Sequence, residues 1–227
     1  MTSSDTPTTM MDKLADAAWD RLADLPPRAI HIDDVAADSG ISTSAARAVS
    51  GSITSLILHK LAHLDRIAVL ESLADIEDAG DVPTRDKIIE GLMHRFEIYA
   101  PYRRQIAQLD QAARRDPALG LRLIDSLYQA MRMLLRMAGD DLAGVRGEAR
   151  VRGVAGVAML VARVWQDDES PDLSTTLKEI DKRLATAEEW GRILRVLGGG
   201  TSQDEPPGGG FDSAEDPLDG NPGGRYQ

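Results

Sequence analysis

Residues 33–50 read DDVAADSGISTSAARAVS, and this stretch decides the fold. Gly40 is the residue type that most readily takes the left-handed backbone at the end of a helix, and the Ser42 hydroxyl can accept an amide of a new first turn. The stretch therefore predicts two short helices, from Asp33 to Ser39 and from Ser42 to about Ser50. Such a pair is typical of a helix-turn-helix, whose second helix enters a DNA major groove, and also of an ordinary corner in a helical bundle.

The pattern on either side of this unit is helical throughout. A helix from Met11 to Leu25 precedes it and stops at a Pro-Pro pair, and a long helix from about Ser52 to Asp78 follows. Further helix boundaries are indicated by a Thr84 cap, a start or kink at Pro101, a cap at Asp116-Pro117, a helix over 147–166, and a cap at Ser170-Pro171 before a last helix ending near Leu197. Strand-like alternation is not visible, so we expect an all-α fold of nine or ten helices.

Composition and charge limit the classes of function. The chain has 227 residues and a net charge of −11. It contains no cysteine, and this absence excludes disulfides, thiol nucleophiles and Cys-ligated metals. A secretion signal or a membrane span is not supported, and we expect a cytoplasmic protein. The expected organisation is a disordered N-terminus over 1–10, a helix-turn-helix module over 11–60, a helical ligand-binding and dimerisation domain over 61–197, and a disordered Gly/Pro/acidic tail over 198–227.

Two groups of motifs resemble the TetR family of bacterial regulators. The first is Asp34-Val-Ala-Ala-Asp-Ser-Gly-Ile-Ser42 with the later Gly51-Ser52 and Leu56, which is similar to the family's helix-turn-helix pattern. The second is similar to the ligand-binding half of alphaproteobacterial members and comprises Ala100-Pro101-Tyr102, Arg114-Arg115-Asp116-Pro117, Arg163-Val-Trp165, residues 167–173, Thr176 and residues 180–184. The resemblance covers about residues 11–195 and implies a homodimer that binds a double-stranded DNA operator and a small apolar effector.

The resemblance also implies which residues contact DNA. Family members commonly place Lys at Thr43, Tyr at Arg47, an aromatic residue at Ser50 and Lys at Ile53, so several usual contacts differ here. The remaining candidates for contacts with bases or phosphates are His31, Ser42, Thr43, Ser44, Arg47 and Ser52. Residues 1–60 hold five Lys and Arg but eight Asp. A net negative module argues against DNA binding that depends on counterion release.

Two sets of apolar residues follow from the predicted body. The ligand-binding set is Met93, Phe96, Tyr99, Tyr128, Met131 and Leu135, which the helical periodicity places either in the core or around a cavity. The dimer set combines small residues that permit close helix approach with apolar ridges. Its members are Gly153, Gly156, Val157, Leu160, Val164, Leu177, Ile180 and Leu184. Burial of the last two helices in the core of a monomer is the alternative.

A second resemblance points to another class of function. Residues 44–46, 56–59 and 168–172 are similar to the lipid-binding accessory proteins of ubiquinone (coenzyme Q) biosynthesis, which share this fold and carry a degenerate helix-turn-helix. Residues 141–148 lack the polar run that those proteins show at this point. This alternative implies a lipid partner in place of DNA.

Catalytic and metal motifs are weak in this sequence. His59 and His63 have the spacing of zinc protease ligands, but Lys60 stands where a catalytic Glu should be, and His31 and His94 are isolated in sequence. Gly-rich phosphate loops and positioned nucleophiles are not visible. We therefore predict no enzyme activity, no metal site and no cofactor.

Overall fold

The computed structural model describes the backbone of residues 6–198 and the side chains of residues 6–187 and 189. This part of the chain is all-α, as predicted, and has nine α-helices, two short 3-10 turns and no strand. The helices are α1 (Pro7–Arg21), α2 (Ile32–Asp38), α3 (Thr43–Val49), α4 (Ile53–Ala79), α5 (Thr84–Tyr99), α6 (Arg103–Arg115), α7 (Pro117–Met137), α8 (Gly144–Gln166) and α9 (Ser174–Gly198). The predicted disorder of residues 1–5 and 199–227 lies outside the described residues.

Several helix ends form as the sequence predicts. Gly40 has φ +68° directly after α2, and Ser42 Oγ accepts a hydrogen bond from the amide of Ala45 at 3.3 Å. Asp116 caps α7, because its Oδ1 accepts from the amides of Ala118 and Leu119 at 3.0 and 3.2 Å. Each cap satisfies amides that have no partner inside the helix.

Three helix starts were predicted wrongly, and the prediction for Pro101 is open between a helix start and a kink. Helix α1 begins at Pro7, so residues 7–10 are helical, because Thr6 Oγ1 accepts from the amide of Thr9. Thr84 is the first residue of α5 and makes no capping bond. The last helix begins at Ser174, not at Ser170-Pro171, because the segment before it is held by the Asp168 carboxylate instead. Pro101 lies in the 3-10 turn Ala100–Tyr102 between α5 and α6.

Helix α4 is the central element of the packing. It lies against α1 at its N-terminal part and against α5 and α7 further along, and α7 also packs on α6 and α8. Residues up to Glu189 form one compact unit with one hydrophobic core. Its largest fully buried side chains include Trp19, Leu56, Phe96, Met131 and Trp165. No helix among the described residues has the length and apolar character needed to cross a bilayer.

One close approach requires glycine. A Cβ placed on Gly91 of α5 would lie 3.0 Å from Cγ of Leu134 on α7. A larger residue would therefore push α5 and α7 apart, because atoms in a packed core have little room to move.

Candidate nucleic-acid interface

Helices α1, α2 and α3 form a small module on the N-terminal part of α4. α2 and α3 pack on each other and both contact α1. Val35, Ala36 and Ala46 are buried, and they fix the two short helices against Leu14, Trp19 and Leu56 in the core. The opposite face of α3 is open to solvent. The geometry is that of a helix-turn-helix, with α3 in the position of the recognition helix.

The predicted DNA-contact residues lie on or beside this open face. Ser44 and Arg47 of α3 are exposed and Thr43 is half-buried. Ser42 and Ser52 are exposed N-cap residues of α3 and α4, so their Oγ atoms accept amides of those helices. His31 is the exposed N-cap of α2, without a capping bond from its side chain. Three members of the predicted set, His31, Ser42 and Ser52, are therefore N-cap residues of α2, α3 and α4, and the other three lie on α3.

Arg47 is not free in this surface. Its Nη2 donates to both carboxylate oxygens of Asp33 on α2, at 2.8 and 3.2 Å, and both side chains are exposed. Arg21 is held in a similar way by Asp38 and Asp34, and the hydrogen bond from Arg21 lowers the pKa of the Asp38 carboxyl. The acidic residues that make this module net negative therefore act as partners of its own cations.

One exposed cation of the module, Arg28, differs from Arg21 and Arg47 because no acidic partner among the described residues holds it. Arg28, in the 3-10 turn Pro27–Ala29 that precedes α2, makes no ion pair with any described residue. Arg28 is not among the residues predicted from the sequence, because a single Arg after Pro26-Pro27 does not belong to any recognisable motif. Its position next to His31 adds it to the candidate phosphate contacts.

The predicted dimer residues divide into two groups. Val157, Ile180 and Leu184 are buried in the core of the chain itself and have almost no surface left to cover, so their part in an interface stays a prediction. Gly153 and Leu160 are exposed, Leu177 is 41% exposed, and Gly156 and Val164 are half-buried. A Cβ on Gly153 or Gly156 would meet no atom within 4 Å. The exposed group leaves an apolar face on α8, and Leu177 adds an exposed apolar side chain on α9.

The predicted ligand-binding residues are core residues. Met93, Phe96, Tyr99, Met131 and Leu135 are buried in the main hydrophobic cluster, and the half-buried Tyr128 packs against it. Two open surface pockets, of about 460 and 340 Å³, are lined by other residues near Asp168 and near Arg104. These side chains fill the space between α5 and α7, which is one of the two alternatives that the helical periodicity left open, and their role in binding a ligand stays a prediction.

A buried polar network connects α4 to α5. Asp65 of α4 is 3% exposed, and its Oδ1 accepts from Arg95 Nε at 2.8 Å and from the Tyr99 hydroxyl at 3.0 Å. The Arg95 guanidinium lies 4.7 Å from the centroid of the Tyr99 ring. Burial and the nearby Asp65 carboxylate raise the pKa of Tyr99 well above its ordinary value. The sequence did not predict this network, because Asp65 lies 30 or more residues away from Arg95 and Tyr99.

Comparison with known proteins identifies the architecture. A TetR transcriptional regulator from Nitrosomonas europaea superposes with a TM-score of 0.61 at 16% identity, over 79% of this chain and 98% of that one. A TetR-family transcriptional regulator from Streptomyces coelicolor superposes with a TM-score of 0.54 at 19% identity, over 88% and 92% of the two chains. The chain has a TetR-like fold. No protein-family model matches the sequence, and no curated protein matches it.

The TetR-like fold confirms the structural part of the resemblance seen in the sequence. The similarity extends over most of the chain, so it covers the helix-turn-helix module and the helical body together. At these identities the likeness concerns the fold. The side chains that a function would use must therefore be judged from their own surroundings.

Proposed function

We propose that this protein is a transcriptional regulator that binds a double-stranded DNA operator as a homodimer. The observation that carries the proposal is the exposed face of α3 in a TetR-like fold, with Ser44 and Arg47 pointing away from the core. Arg forms bidentate hydrogen bonds with guanine, and hydroxyl groups can bond to several base edges. The proposed role of α3 is direct reading of the major groove.

Phosphate contacts in this proposal come from the starts of the helices. Ser42 and Ser52 stand at the N-termini of α3 and α4, where backbone amides and the helix dipole favour an anion. Arg28 and His31 both precede the first residue of α2. Because few cations face the groove, DNA affinity should fall less steeply with salt than it does for a strongly basic DNA-binding module.

The proposed dimer uses the exposed apolar face of α8 and α9. Gly153 and Gly156 permit a close approach of a second copy, while Leu160, Val164 and Leu177 supply apolar area. Met159, 45% exposed, enlarges the same face. An isologous four-helix contact would cover these residues in both protomers and would present two α3 helices to a two-fold symmetric operator.

The proposed effector is a small apolar molecule that enters the body by displacing packed side chains. Met93 and Met131 lie in the region that would have to open, and methionine adapts its shape more easily than other core residues. Such a ligand would change DNA affinity only by the difference between its affinities for the DNA-bound and free conformations. The lipid-binding alternative needs a larger apolar cavity in the same place, and there the side chains pack against one another.

The direct test is selection of bound sequences from a random duplex library at low salt with the full chain. We expect recovery of a palindromic motif that Arg47→Ala no longer enriches. Arg115→Ala is the matched control, because Arg115 is exposed at the end of α6, outside the module. If the folded wild-type protein enriches no motif, or if Arg47→Ala enriches the same motif equally well, the proposed function is wrong.

A further inference from the structure

His94 of α5 lies at the centre of four carboxylates from two helices. Its Nε2 is 3.0 Å from Oδ2 of Asp75 on α4 and 3.2 Å from Oε1 of Glu90 on α5. Its Nδ1 is 3.7 Å from Oε2 of Glu97 and 3.9 Å from Oε2 of Glu71. The imidazole is mostly buried, with 14% of the side chain exposed, while the carboxylates are reached by solvent.

Hydrogen bonding accounts for one of these four contacts, the one between Nε2 and Asp75. An imidazole nitrogen carries at most one proton, so Nε2 can donate to Asp75 or to Glu90 but not well to both. No Lys or Arg among the described residues pairs with any of the four carboxylates, whose ion pairs there are with His94 alone. A protonated His94 would neutralise only one of the four negative charges of these carboxylates. The cluster is therefore short of positive charge on the side facing Nε2.

Two of the distances in this cluster are those between neighbouring ligand atoms of a metal ion. The three ligand atoms of Asp75, Glu90 and His94 all lie within 4.8 Å of one another. With metal–ligand bonds of about 2.1 Å, adjacent ligand atoms are separated by roughly 3.0 to 3.4 Å. The two distances from Nε2 fall within that range. Glu97 and Glu71 lie 3.7 and 3.9 Å from Nδ1, beyond hydrogen-bond distance, so they act on the imidazole only as nearby negative charges.

We propose that Asp75, Glu90 and His94 bind a divalent first-row transition-metal ion, with His94 coordinating through Nε2. The ion replaces the proton on Nε2 and is bound by both carboxylates, and water completes its coordination. The imidazole favours Zn²⁺, Co²⁺ or Ni²⁺ over Mg²⁺ and Ca²⁺, which prefer oxygen ligands alone. Part of this site is visible in the sequence, because the four-residue spacing of Glu90 and His94 places both side chains on one face of a helix.

The test is titration of the full chain with Co²⁺, after treatment with a chelator and in an excess of Mg²⁺ that occupies weak acidic sites. We expect one Co²⁺ per chain with visible d–d absorption, displaced by Zn²⁺, and a rise in Tm on binding. Asp75→Asn and His94→Gln should each weaken binding by more than about tenfold. Asp75 is exposed, so its variant keeps the test valid if His94→Gln does not fold.

Two matched controls separate this site from general cation binding. Asp78→Asn removes an exposed carboxylate one turn further along α4, and His63→Gln removes an exposed histidine of the same helix. Neither should change the Co²⁺ affinity. Absence of stoichiometric uptake by the folded chain, or equal affinity in Asp75→Asn and Asp78→Asn, would overturn the proposal. Because no DNA is involved, failure here is independent of failure of the proposed regulator function.

Discussion

Arg47 on α3 and Asp33 on α2 form an ion pair, with 2.8 Å between Nη2 and Oδ1. Both side chains are exposed, so the pair is worth little for folding. In the proposed complex with DNA, we expect the ion pair to affect binding instead. An operator that uses Arg47 must take the guanidinium away from a carboxylate that already occupies it.

The first prediction follows from this competition. Asp33→Asn should raise affinity for DNA several-fold at low salt, because it frees Arg47 and removes one negative charge that faces the phosphates. Fluorescence anisotropy with a selected duplex would measure the change. Asp110→Asn, which removes the partner of Arg114 on α6, is the matched control and should leave DNA affinity unchanged. Lower affinity in Asp33→Asn would mean that Asp33 positions Arg47 for DNA.

The second prediction concerns assembly. Leu160→Glu and Leu177→Glu should each shift the chain from dimer to monomer, because a charge would be buried in the proposed apolar contact. Sedimentation velocity over a range of protein concentrations measures the shift. Leu121→Glu changes an exposed leucine on α7 and should leave the dimer intact. Dissociation by Leu121→Glu alone would place the interface on α7.

The third prediction concerns the network between α4 and α5. Asp65→Asn should lower the free energy of unfolding by about 3 kcal/mol, because it leaves the Arg95 guanidinium without its carboxylate partner in a largely buried position. Urea unfolding at neutral pH measures the change. Asp110→Asn serves here as an exposed ion-pair control and should change stability by less than about 0.5 kcal/mol. Similar losses in both variants would contradict the importance of burial.

The fourth prediction is a pH dependence from Asp168. Burial raises the pKa of this carboxyl, but hydrogen bonds from the hydroxyls and amides of Ser170 and Thr176 outweigh it and hold the pKa far below its ordinary value. A lowered folded-state pKa stabilises the fold above the unfolded-state value, about 3.9. The stabilisation is lost progressively as pH falls below that value.

Asp168→Asn should therefore lower the free energy of unfolding by about 2 to 4 kcal/mol at pH 7. The difference from wild type should shrink as the pH is lowered from about 5 towards 3. Denaturant unfolding across this range measures both effects. Asp167→Asn, an exposed neighbour, should behave like wild type at every pH. A constant difference between Asp168→Asn and wild type would show that the carboxylate charge is not involved.

Local chemistry explains which features the sequence could predict. Gly40, Ser42 and Asp116 act within a few residues of their own position, and all three end or begin helices as expected. Ser170 was assigned as a helix cap on the same reasoning, but its hydroxyl donates to Asp168 instead. A cap signal cannot be evaluated without the competing partners that the fold supplies.

The periodic spacing of apolar residues along a helix does not predict which part of the protein will cover them. Val157 and Leu160 are both apolar residues of α8, yet Val157 is buried in the chain's own core and Leu160 is exposed. Helical spacing says that a residue belongs to a stripe and not which neighbour covers it. His94 illustrates the same limit for polar groups, because Asp75 reaches it from another helix.

The single helix α4 runs without interruption from Ile53 to Ala79, from the N-terminal module to the carboxylates around His94. Its 27 residues make a rod about 40 Å long. A tilt of about 5° around its midpoint would carry each end sideways by roughly 2 Å. A contact that holds the C-terminal end of α4 against α5 therefore also sets the position of α2 and α3 at its other end. No change inside the N-terminal module is needed.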